Sequence, residues 1–214
     1  MVPLHTVFGA LLILFGLIGG LRGWAKELIV AFSVFLALFV QHVLLTFLPP
    51  LSSLFCNLAV DSQFYTRAVI FILITVFGYA SPTIVSKIGA RVARERLQDI
   101  LLGFFIGLLN GFLIVGTMVA FLDMSFYGVP DDQRDTVRKV DENGQPVTEY
   151  GCPAMVVDRY HDGATGIGGI TPPAPGTTSH NLLAFLPPMI IQRSDAVLYL
   201  AVAAAFVFVI VVFL

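Results

Sequence analysis

The chain has 214 residues, of which 57% are apolar and 12% charged, and a mean hydropathy of +0.88. That is more apolar surface than a soluble domain of this length buries, so a bilayer is the environment the composition fits. Twelve basic residues nearly cancel fourteen acidic ones; the bases are too few for nucleic-acid binding, and where the charges sit matters more than their sum.

Crossing a bilayer takes roughly 18–25 predominantly apolar residues, and five stretches qualify: Leu4–Leu21, Leu28–Leu48, Ala68–Ser86, Ile100–Leu122 and Ala196–Leu214. No Lys or Arg precedes the first span, and Arg22 and Lys26 follow it. That charge order fits a retained helix rather than a cleaved signal. The same span carries two four-residue glycine ladders, Gly16 with Gly20 and Gly19 with Gly23. Pro49-Pro50 stops span two, and Pro82 is expected to bend the last turn of span three. Beyond it, Lys87, Arg91 and Arg94 recur at helical spacing beside Ile84, Ile88 and Val92, with Arg96 following. Two readings stand open there: a basic amphipathic stretch on the cytoplasmic leaflet, or an ordinary charged loop.

Span four opens with "DILLGFFIGLLNGF", Asp99 to Phe112, whose Gly103, Gly107 and Gly111 are four residues apart. Helices in lipid associate through close backbone contact, and small residues at this spacing form the groove that permits it. The ladders on spans one and four therefore predict a packing seam, either within one chain or between copies of span four.

Basic residues in short connections set orientation. Arg22 and Lys26, then Lys87, Arg91, Arg94 and Arg96, mark two cytoplasmic connections, whereas the connection Pro49–Arg67 holds only Arg67. The N-terminus is then expected outside and the C-terminus inside, at the membrane surface. The segment Asp123–Asp195, with ten acidic and five basic residues, falls outside. "DGATGIGGITPPAPGTTSHN" within it reads as an extended linker, and Asn143-Gly144 suits a tight hairpin turn. The predicted fold is an all-α polytopic membrane helix bundle: a four-helix membrane domain over 1–122, an irregular polar outer segment over 123–195, and a C-terminal transmembrane helix over 196–214.

"GGLRGWAKELIVAF" (Gly19–Phe32) resembles the Gly-x-x-Arg-Gly-x-x-x-Glu turn between the first two membrane helices of the colicin V production protein family. "DILLGFFIGLLNGFLIV" (Asp99–Val115) resembles that family's Asp-x-x-x-Gly-x-x-x-Gly-x-x-x-Gly fourth helix. The resemblance covers Val7 to Leu122. It implies a bacterial inner-membrane protein associated with production of a secreted peptide toxin and with envelope homeostasis, with no catalytic residue to carry over. Arg22, Gly23, Glu27, Asp99, Gly103, Gly107 and Gly111 match as family-typical positions. Asn110 departs from a position that is often basic in the family, and everything after Leu122 exceeds the usual four-helix form.

Physically, Asp99 suits an N-terminal cap on span four better than an acid catalyst. If the glycine ladders bring spans one and four together, Arg22 is placed to pair with Asp99; otherwise Arg22 and Lys26 only set topology. Cys56 and Cys152, the only two cysteines, fall on the outer side and suit either a disulfide or two unrelated thiols. The "DRYHD" cluster, Asp158 to Asp162, reads as a solvated stretch. His42 and Ser33 lack a nucleophile-elbow setting, and no metal, phosphate or dinucleotide motif is present.

No cofactor and no enzymatic activity are expected. The expected partners are the bilayer and other membrane proteins or further copies of the chain. Two function classes remain: a non-enzymatic component acting through helix packing and partner binding, or a small oligomeric channel or transporter. Scarce ionisable residues inside the spans favour the first.

Overall fold

The computed structural model describes residues 3–58, 60–85, 96–124, 142–143, 148–149, 152–153, 173–174, 176–191 and 195–213. In chain order the helices are α1 (Leu4–Arg22), α2 (Trp24–Phe47), α3 (Pro49–Cys56), α4 (Val60–Val85) and α5 (Arg96–Met124). Two short strands follow, β1 (Thr148–Glu149) and β2 (Cys152–Pro153), then α6 (Thr178–Leu183), α7 (Pro187–Ile191) and α8 (Asp195–Phe213). Helices α1, α2, α4 and α5 are long and apolar enough to cross a membrane. Helix α8 runs 19 residues and includes the apolar stretch Ala196–Val207.

Two helices extend beyond the apolar spans. Helix α4 begins at Val60, so the polar stretch Asp61–Arg67 is helical, and it continues through Pro82 to Val85. Helix α3 starts on Pro49 and Pro50, where a missing N–H costs nothing because the first helical amides have no intrahelical acceptor.

The main core gathers Ala31, Val34, Ala37 and Leu38 of α2 with Phe71 of α4, Leu113 and Phe121 of α5, Ile191 of α7 and Leu198 of α8. The Phe71 and Phe121 rings meet edge to face at 5.8 Å, a favoured aromatic geometry. On the other flank, α1 packs on α5 in antiparallel sense, with Phe8 against Phe112, and Leu183 and Leu186 close a second cluster with Ala120.

That second cluster revises the expectation for the outer segment. Residues 178–191 form two short helices that dock on the bundle rather than an irregular linker. Thr177 caps α6 by accepting from the His180 amide at 3.2 Å. Ser179 of α6 bonds His5 Nδ1 at 3.0 Å, which ties α6 to the start of α1. Leu186, Pro187 and Pro188 are fully buried, with Pro187 set against Gly116 of α5. The apolar run "LLAFLPPMII" supplies the buried surface; at ten residues it is too short for a crossing, and its glycine- and proline-rich approach disguises it.

Strands β1 and β2 pair antiparallel, with Glu149 opposite Cys152; Gly144 and most of the runs flanking the expected Asn143-Gly144 turn lie outside the described residues. Lys87, Arg91, Arg94 and the "DRYHD" cluster lie outside the described residues, and Arg96 is the first residue of α5.

Candidate functional site

The family-like motif residues converge where α1 turns into α2. Gly23 ends one helix and starts the next: its amide donates to Gly19 O at 2.9 Å, and its carbonyl accepts from the Glu27 amide at 3.3 Å. Its φ of 87° and ψ of 150° place it in a backbone region that is essentially restricted to glycine. A side chain at Gly23 would also meet the Asp99 carboxylate, with its Cβ 2.8 Å from Oδ2. That carboxylate accepts from the Trp24 amide at 3.3 Å. Asp99 thus caps α2 from across the bundle, a role that local sequence spacing around span four does not reveal.

Arg22 does not pair with Asp99. Its Nη1 donates to Glu27 Oε1 at 2.6 Å, and its Nη2 donates to Tyr79 O at 3.2 Å. The guanidinium also lies 4.4 Å from the centre of the Tyr79 ring, within cation–π range. Glu27 is wholly buried. Asn110 Nδ2 donates to Glu27 Oε2 at 2.7 Å and to Glu27 O at 2.8 Å. Both carboxylate oxygens therefore receive hydrogen bonds, one of them from a guanidinium. A charge in low dielectric requires such partners, because an unpaired one is costly to bury.

This network joins α1, α2, α4 and α5. Asn110, which departs from a position often basic in the family, is the group that completes it. Its signal was the cost of a lone amide inside an apolar span, which implies a buried partner. Three interior polar atoms, Asn110 Oδ1, Tyr79 Oη and Thr75 Oγ1, have no hydrogen-bond partner among the described residues.

Beside the network runs the contact between α1 and α5. A Cβ built on Gly19 would collide with Gly103 O, and one on Gly103 with Gly19 O. At Gly107 it would stand 2.5 Å from Phe15 O and 2.9 Å from Gly19 Cα; at Gly111 it would stand 2.8 Å from Phe15 Cβ. Gly16 lies under the Leu108 and Phe104 side chains, and Gly20 faces Ile100. The grooves on spans one and four meet within one chain. Sequence reading did not single out Gly78, where a Cβ would strike Ser33 of α2; Ser33 itself donates to Val30 O at 2.7 Å.

On the far side of the bundle, Cys56 at the end of α3 is disulfide-bonded. The other cysteine of the chain, Cys152, is in β2, which lies against α3. No group of three or more His, Cys, Asp or Glu able to hold a metal occurs among the described residues.

An all-α bundle with four bilayer-length apolar helices, closed by bare-backbone contact and a buried ion pair, defines a multi-pass membrane protein. The chain belongs to the colicin V production protein family, which matches residues 4–138, from the first residue of α1 to beyond the end of α5. No curated protein and no solved structure matches it.

Proposed function

We propose that the chain is a non-enzymatic component of the bacterial inner membrane that supports toxin production or export, or envelope homeostasis, by presenting a rigid helix bundle to other membrane proteins or to further copies of itself. The observation that carries this reading is the saturation of Glu27 by Arg22 and Asn110. With both oxygens engaged, the buried Glu27 carboxylate fastens α2 to α1 and α5. The glycine contact between α1 and α5 supports the same reading, since it uses the family-typical positions for close packing.

The orientation that goes with it has the N-terminus outside, the connections after α1 and after α4 cytoplasmic, and α8 as a fifth crossing that brings the C-terminus inside. Residue-specific photocrosslinking and pull-down in native membranes test the proposal. A discrete partner lost on Glu27→Ala, with the protein still accumulating, is the expected result; the absence of any crosslinked species would overturn it.

A channel or transporter is the second reading, favoured by the unpartnered interior oxygens of Asn110, Tyr79 and Thr75. Polar groups left without partners at membrane depth mark hydrated paths in many transport proteins. Reproducible conductance steps from purified, reconstituted protein would decide for it.

A further inference from the structure

The last turns of α2, the short helix α3 and the first turns of α4 enclose a half-open cavity of about 280 Å³, walled by Leu44, Leu45, Leu51, Phe55 and Ile70 together with Arg67. Carbon forms nearly all of its surface. The polar groups of the wall are directed to other contacts: Gln41 Nε2 donates to Arg67 O at 3.1 Å, and the Arg67 guanidinium lies 4.9 Å from the centre of the Phe55 ring.

We propose that this cavity holds one hydrocarbon chain, an acyl tail of a phospholipid from the surrounding bilayer, seated beneath α3. A dry apolar cavity excludes water, which needs two or more polar partners, but it accepts hydrocarbon. Left open, it forfeits the dispersion contacts that close packing provides. A soluble ligand would need convergent polar groups to fix its orientation, and this wall offers almost none. Two of the bordering helices, α2 and α4, are long and apolar enough to cross a membrane. The third, α3, borders the cavity through Leu51 and Leu54, which remain 40% and 69% exposed, so the opening is rimmed by apolar side chains. The hydrocarbon of that leaflet is the one apolar species present in excess at the opening. This inference rests on membrane residence and not on any role in toxin production.

The test uses the full chain reconstituted in phosphatidylethanolamine–phosphatidylglycerol vesicles that contain a phospholipid with a photoactivatable acyl tail. Leu73 of α4, 66% exposed, reports casual lipid contact. Leu44 and Ile70 are less exposed than Leu73, so casual contact labels them less. The proposal expects the reverse, several-fold heavier labelling at Leu44 and Ile70 than at Leu73. Leu45→Trp, or the milder Leu45→Phe if the first fails to accumulate, fills the cavity and removes the excess while Leu73 labelling stays constant. A wild-type unfolding transition in mixed micelles shows that α3 is seated in either variant. Labelling at Leu44 and Ile70 no heavier than at Leu73, or unchanged in a seated filled variant, overturns the proposal.

Discussion

Replacing Gly107 by alanine adds one methyl group at a tight point between α1 and α5. The new Cβ would stand 2.5 Å from Phe15 O, 2.9 Å from Gly19 Cα and 3.2 Å from Gly16 Cα. All three are backbone atoms, so no rotamer change relieves the collision and the two helices must separate by about 1 Å. A gap of roughly that size forfeits a quarter to a half of each van der Waals well along the contact, and overpacking of this kind costs about 1–3 kcal/mol. Alanine returns about 0.5–1 kcal/mol through its higher helix propensity, which leaves a net loss of about 0–2.5 kcal/mol. Gly9 of the opposing helix α1 is the control, since a Cβ there meets nothing within 4 Å. Gly9→Ala is therefore expected to be neutral or slightly stabilising. Unfolding in mixed micelles titrated with sodium dodecyl sulfate, followed by fluorescence of the single tryptophan, Trp24, compares the two. Equal stability of Gly107→Ala and Gly9→Ala would refute the reasoning.

Asp99→Ala removes the acceptor for the Trp24 amide and is expected to cost about 0.5–2 kcal/mol, while Asp99→Asn retains most of the cap; the same titration measures both. Glu27→Ala strips Arg22 of its carboxylate, and breaking a buried pair costs about 3–5 kcal/mol. Because the Arg22 side chain keeps 23% exposure, the low end is expected, and the double variant Arg22→Met, Glu27→Ala should be less destabilised than the sum of its two single variants. Strict additivity in that cycle would show that the two residues are uncoupled. For Cys56, alkylation without reductant should modify neither cysteine, whereas reduction should open both; two thiols labelled without reductant would exclude the disulfide.

The four long helices were legible because mean hydropathy over about 20 residues depends on composition alone. The glycines of spans one and four were legible as a groove because their four-residue spacing places them on one helix face. Which helix fills that groove was not, since nothing local distinguishes α1 of the same chain from a second copy. The same limit applies to Asp99. Its position before an apolar run reads as a cap, but the amide it satisfies, on Trp24, becomes visible only once α5 is laid beside α2.

Glu27 looked like a charge at a span end, and burial by Asn110 from another helix is what changes its meaning. The docking of α6 and α7 was hidden for a different reason. "LLAFLPPMII" is short and interrupted by two prolines, so it resembles neither a span nor a linker. Only the space beside Gly116 and Ala120 explains its apolar character.

The account depends on α1 and α5 closing on each other within a single chain. Introducing Phe15→Cys and Gly111→Cys into a Cys56→Ser, Cys152→Ser background and oxidising native membranes tests this directly. A Cβ built on Gly111 would stand 2.8 Å from Phe15 Cβ, within about 1 Å of the ordinary disulfide Cβ separation of roughly 3.8 Å. The expected product is a monomer that loses both thiols on oxidation, with neither single-cysteine variant forming a dimer. A crosslink that appears only between chains, or two thiols that stay free, would contradict it.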